Sequence, residues 1–117
     1  MSYMLLIVEP VGQRAQRTPE EGREAYAQML RYAEGLKARG LLTGAESLKS
    51  ESEGVRLSIR DGQRTLVDGP FAEAKEMIGG FFLLTCETRE EALALAAECP
   101  AAQWATVEVR ELGPCNM

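Results

Sequence analysis

The period of the hydrophobic positions changes several times along the chain, and each change marks an element. From Tyr3 to Val8 every residue is apolar, with Tyr3, Leu5 and Ile7 on one side of an extended chain and Met4, Leu6 and Val8 on the other. A strand apolar on both sides needs cover on both. Beyond a loop around Pro10 to Arg17, Thr18-Pro19-Glu20-Glu21 places a threonine N-cap, a first-turn proline and a carboxylate at the third helical position, a helix start. Tyr26, Met29, Leu30, Ala33 and Leu36 follow at helical spacing until Gly40 stops the pattern, which predicts a helix over residues 19–39.

Leu41 to Leu48 is a strand candidate, followed by the polar connection Lys49-Ser50-Glu51-Ser52-Glu53-Gly54. Val55, Leu57 and Ile59 then alternate with Arg56, Ser58 and Arg60, and Asp61-Gly62 supplies a tight hairpin turn to the returning strand, Gln63 to Asp68. Phe71 to Met77 reads as a short helix. Gly79-Gly80 reads as its stop and a point of close approach, opening a strand at Phe81 to Glu87 that is again apolar on both faces. Thr88-Arg89-Glu90-Glu91 repeats the capping spacing and starts a second long helix, with Ala92, Leu93, Leu95, Ala96 and Cys99 as its apolar stripe and Pro100 as its end. Trp104 to Leu112 is the last strand.

Two long helices, each lying between strands, make this an α+β chain. It divides into two βαβ halves, a ferredoxin-like sandwich with an extra hairpin strand. Two helices on one side of such a sheet leave the other side bare, although the strands near Leu5 and Leu83 are apolar on both. The expected cover is a second copy of the chain, so a homodimer joined through the open sheet face is predicted.

Composition narrows the function classes. With 117 residues, 45% of them apolar and 26% charged, the chain is expected to form a single domain over residues 1–117. Its net charge of −5 disfavours sequence-independent binding to nucleic acid or anionic lipid. Histidine is absent, which excludes a Ser-His-Asp triad, a Cys-His dyad and histidine-ligated metals built from this chain alone. Cys86, Cys99 and Cys115 match neither a disulfide framework nor a zinc ribbon. Reduced thiols in a cytoplasm are the expectation, and the opening apolar run, too short for a signal-peptide core or a membrane span, reads as a buried strand.

The candidate chemistry lies on the hairpin and the last strand. If Asp61-Gly62 forms the turn, Arg60 pairs with Gln63, Leu57 with Leu66 and Val55 with Asp68, so Asp68 ends an otherwise apolar face. Partial desolvation there would suit it to proton transfer or ligand binding. The structural alternative has the Asp68 carboxylate accepting the Phe71 backbone N–H and pinning the turn at Gly69-Pro70. Arg56 on the hairpin, Lys75 in the following segment, and Glu108 and Arg110 on the last strand are the candidate ligand-binding residues, lining a cleft beside the dimer face. Their alternative is a solvated rim of interface ion pairs. Asp68, Glu73 and Glu76 offer carboxylates for a hard cation, but Glu73 and Glu76 are three apart on the expected short helix, and a solvated helix face describes them better, as no calcium-loop spacing is present.

The run Asp68-Gly69-Pro70-Phe71-Ala72-Glu73-Ala74-Lys75-Glu76, with Ile78-Gly79-Gly80-Phe81-Phe82 after it, resembles the signature of DGPF-type proteins within the YCII-related family. Tyr3 to Ile7, Glu91-Ala92-Leu93 and Val107-Glu108-Val109-Arg110 carry the resemblance almost end to end. It implies a dimeric α+β barrel of ferredoxin-like subunits. Many members carry a His and an Asp to which enzymatic activity was attributed; here only Asp68 corresponds to the acidic member. Fusion of some relatives to sigma-70-type factors implies a link to transcription initiation.

Three readings follow. One is a dimeric small-molecule-binding protein or acid-base enzyme centred on Asp68, with no cofactor and no metal implied. Another is an accessory module with a sigma-factor-linked protein partner and no direct DNA contact. The last is a dimeric scaffold without a site.

Overall fold

Strand β1 (Ser2–Pro10) runs through the middle of the sheet, paired with a strand on each side. The computed structural model describes residues 1–116. In chain order β1 is followed by α1 (Pro19–Ala38), β2 (Leu42–Ser47), the hairpin β3 (Val55–Arg60) and β4 (Gln63–Asp68), β5 (Glu76–Thr85), α2 (Arg89–Ala97) and β6 (Thr106–Glu111). Strands β2, β5, β1 and β6 lie in that order in one sheet, every neighbouring pair antiparallel. With the hairpin set aside this is the βαββαβ order of a split βαβ sandwich, compatible with a ferredoxin-like fold.

Both long helices start as their caps predict. Thr18 and Glu21 form a reciprocal capping box at α1, and the Thr88 hydroxyl accepts the Glu91 N–H at α2. The two helices share one side of the sheet. Leu36 of α1, and Leu95 and Ala96 of α2 with Cys99 just beyond it, pack on Leu5, Ile7, Phe82 and Leu84, and the Tyr32 hydroxyl of α1 donates to the Leu95 carbonyl of α2. Cys86 and Cys99 are buried core residues, as expected, and Cys115 is exposed. Leu93, Tyr26 and Leu30 were placed on apolar stripes by spacing, yet all point outward, because each helix meets the sheet along a narrower seam than its apolar pattern spans.

Among the described residues no layer covers the other side of the sheet. Met4, Leu6 and Val8 of β1 and Phe81 and Leu83 of β5 are half-buried there, and Ile78 is 42% exposed. Glu108 and Arg110 of β6 stand beside them, at the levels of Leu6 and Met4.

Two sequence expectations need correction. Residues 71–75 form turns rather than a helix, and β5 begins at Glu76, taking in Gly79-Gly80. The helix formers of this segment are overridden by pairing of Glu76, Met77 and Ile78 with Pro10, Glu9 and Val8. Gly79 is the extra residue of a bulge between Ile7 and Val8, and a Cβ on it would meet the Glu9 carboxyl at 2.8 Å. The hairpin, expected as an additional strand of the sheet, is instead a separate two-stranded sheet. It stands off the body as an arm. Its register matches the sequence reading, Arg60 with Gln63, Leu57 with Leu66 and Val55 with Asp68, and the turn has positive φ at Asp61 (51°) and Gly62 (76°). The arm and the single helix layer make a flat molecule, 47 × 42 × 18 Å. Its radius of gyration is 16.1 Å, where a compact chain of this length has roughly 13 Å.

Candidate functional site

The arm is anchored by its two ends and by a buried ion pair next to them. Glu9, 5% exposed, holds the Arg14 guanidinium through Nε. The same guanidinium donates to the Leu48 carbonyl at 2.8 Å and the Gly79 carbonyl at 3.3 Å, fastening the segment that leads out of β2 to β5. A buried carboxylate is tolerated only with such a partner. Beyond Leu48, a short helical turn at Glu51–Glu53 is capped by the Ser50 hydroxyl. The Glu51 N–H is directed at Met77 Sδ, 3.3 Å away, and the Gly69 N–H donates to the Gly54 carbonyl at 2.8 Å, closing the root of the arm. Gly69-Pro70 is a cis peptide, and a Cβ on Gly69 would collide with the Glu51 carbonyl.

Glu51 Oε2 accepts the Phe71 N–H at 2.8 Å. That contact takes the place of the one considered for Asp68, whose side chain is exposed. The Phe71 ring lies under Arg56, its centroid 3.8 Å from the guanidinium carbon. Arg56, Glu51 and Glu76 thereby come together around a cavity of about 250 Å³ whose other walls are Val8, Ala74, Met77 and Ile78. It lies where β2 has ended and the open sheet face meets the root of the arm. Among the described residues Arg56 makes no ion pair, although two carboxylates line the same cavity. Its guanidinium is held by a ring face, so its N–H edge remains available.

The other expected site residues lie apart from this cavity. Asp68 faces Val55 across the arm, as expected, in an exposed position at the end of β4. Lys75 is exposed, and its backbone carbonyl accepts the Val11 N–H. Glu108 and Arg110 are 3.8 Å from one another on β6. Arg110 pairs with Met4 of β1, four positions from Val8, which is about 13 Å of strand. Only Arg56 of the expected ligand-binding set lines the cavity. Glu51 and Phe71 were missed because their contacts link segments 20 residues apart; the signal available was an acidic residue and a lone aromatic flanking the hairpin.

A second, shallower cavity of about 430 Å³ lies on the helix side, lined by Arg17, Glu20, Glu24, Gln28 and Trp104, with Arg17 stacked over the Trp104 ring. It is larger, and the loop before α1, the first turns of α1 and Trp104 ahead of β6 form its walls. Among the described residues no group of three or more Cys, Asp or Glu side chains is placed to hold a metal ion. No helix is long and apolar enough to cross a membrane.

These features define a small α+β domain with one bare sheet face and a polar cavity at its edge. The model of the YCII-related domain matches residues 1–116, and the chain belongs to that family. It is also similar to an uncharacterized protein of Rhizobium meliloti (strain 1021), 43% identical over 53 residues, a stretch covering 44% of this chain and 43% of that relative.

Proposed function

We propose that the chain works as a cytoplasmic homodimer, joined over the open sheet face, that binds a small carboxylate-bearing molecule in the cavity at the root of the arm. The observation that carries this reading is Arg56: a guanidinium seated on the Phe71 ring and free of ion pairs, at the mouth of a cavity with an apolar floor. A planar guanidinium with a free edge matches a carboxylate in bidentate fashion. Val8 and Ile78 would take the ligand's apolar part. Glu51 and Glu76 are better placed than Asp68 to accept hydrogen bonds from a ligand hydroxyl or amine, and either supplies the carboxylate needed if the bound molecule is also turned over. The bare face supports the dimer, since an apolar surface of this kind on a flat molecule is ordinarily covered.

The test uses ligand-observed NMR with benzoate and related small carboxylates, each run beside its neutral amide. Carboxylates are expected to bind and amides not, and Arg56→Gln is expected to weaken binding roughly 10-fold or more. Equal binding of acid and amide, or an unaffected Arg56→Gln variant, overturns the reading.

A further inference from the structure

The arm has a sidedness that nothing among the described residues uses. Val55, Leu57, Ile59 and Leu66 share one face of the hairpin and are 55–58% exposed. Asp68 and Arg64 are the polar members of that face, Arg64 lying opposite Ile59. The root is firmly held by the Gly69–Gly54 and Phe71–Glu51 hydrogen bonds, so the arm is presented in a fixed direction rather than trailing as a loop. An isolated two-stranded hairpin is marginal in water unless its apolar face is covered.

We infer that each arm reaches across to a second copy of this chain and lays its Val55, Leu57, Ile59 and Leu66 face against the margin of that copy's open sheet face. This rests on the dimeric reading above and adds a second contact to it. Charge complementarity identifies the occupant. The docking face of the arm carries one cation, Arg64 opposite Ile59 toward the tip, and one anion, Asp68 opposite Val55 at the root. The open sheet face of a second copy offers a match to each, with Glu46 of β2 and Glu108 of β6 at the level of Phe81 and Leu6 and Arg110 at the level of Met4. The dimensions agree: a six-residue arm strand spans about 20 Å, close to the width of four strands at about 4.8 Å spacing. Two-fold symmetry makes the contact twice, each arm on the other's sheet. Because Arg56 lies on the arm, arm docking also fixes one wall of the ligand cavity.

Sedimentation velocity on the full chain at a series of micromolar concentrations, with Leu57→Asp/Leu66→Asp, Arg64→Glu and Leu6→Asp variants, tests this. The exchange predicts a dimer for the unaltered chain, and for Leu57→Asp/Leu66→Asp a dissociation constant roughly 100-fold higher. Its circular dichroism should be unchanged, because both leucines are exposed within one chain. Arg64→Glu is expected to weaken the dimer less, and the difference from the unaltered chain should shrink as salt is raised. A dimer lost with Leu6→Asp yet unaffected by the arm variants overturns the exchange and leaves the sheet-face dimer standing. A monomer for the unaltered chain overturns both.

Discussion

The β1–β5 core and the β3–β4 arm are both antiparallel strand pairs and end in opposite environments. Leu5 and Leu84 are completely buried and Ile7 and Phe82 6% exposed, whereas Leu57 and Ile59 are 55% and 58% exposed. Strand propensity acts locally and is high in both places. What differs is the third element: α1 and α2 close over the core strands, and among the described residues nothing closes over the arm. Alternation thus specifies which residues share a face and leaves open whether that face is filled from the same chain or from another.

The largest expected effect follows from breaking the covered side. Leu84→Ala should cost about 3 kcal/mol or more, since the helices cannot collapse onto the gap. Leu57→Ala should change the stability of the fold by no more than about 0.5 kcal/mol. Urea unfolding of each, at a concentration low enough to keep the chain monomeric, checks the pair. Similar losses in the two variants would mean that the arm has a hidden role in the fold and that the contrast is wrong.

Arg14→Ala should rank close behind, at about 3 kcal/mol, because it strands the Glu9 carboxylate beneath β5. The corresponding fall in Tm is on the order of 10 °C. It also sharpens the comparison, for Arg14 ties the segment leading to the arm onto the body through Leu48 and Gly79. Hydrogen exchange should accelerate at Leu48 and in the Glu51–Glu53 turn before it does in β1. Replacing Glu9 by Gln in the Arg14→Ala background should recover part of the loss, since a neutral amide is less costly to bury.

How much of this was readable beforehand depended on how far apart the interacting residues lie. The capping residues Thr18 and Thr88 and the turn residues Asp61-Gly62 act within four positions of themselves, and the helix starts and hairpin register derived from them hold in the structure. The stretch Ala72 to Met77 has helix-forming residues, and only its pairing with Val8 to Pro10, far away in sequence, makes the end of it a strand. The cavity at the root of the arm depends on distance along the chain in the same way. Arg56 was chosen for its place on a polar hairpin face and does line a cavity, but its ring support from Phe71 and the carboxylates of Glu51 and Glu76 come from separate segments. Glu108 and Arg110 were grouped with it because they share the open side of the sheet, and strand spacing keeps them distant within one chain.

The smallest effect expected concerns protons on the covered side. Burial pushes the thiols of Cys86 and Cys99 above the usual range, and burial likewise raises the Tyr32 phenol. In the unfolded chain these groups ionise near their ordinary values, 9.0 for the thiols and 10.0 for the phenol. The folded state holds its protons more tightly, so the stabilisation is fully present below those values and is lost as pH rises through them toward the raised folded ones. Tm should therefore be level through neutral pH and decline from about pH 9 upward, and Tyr32→Phe should soften the decline at its upper end. Thiol labelling by Ellman's reagent near pH 8 reports the same asymmetry without unfolding anything. Exposed Cys115 should react at once, and Cys86 and Cys99 only at the rate at which the helices open from the sheet. Three equally fast thiols would show that the helix layer is not the tight cover that separates the core strands from the arm.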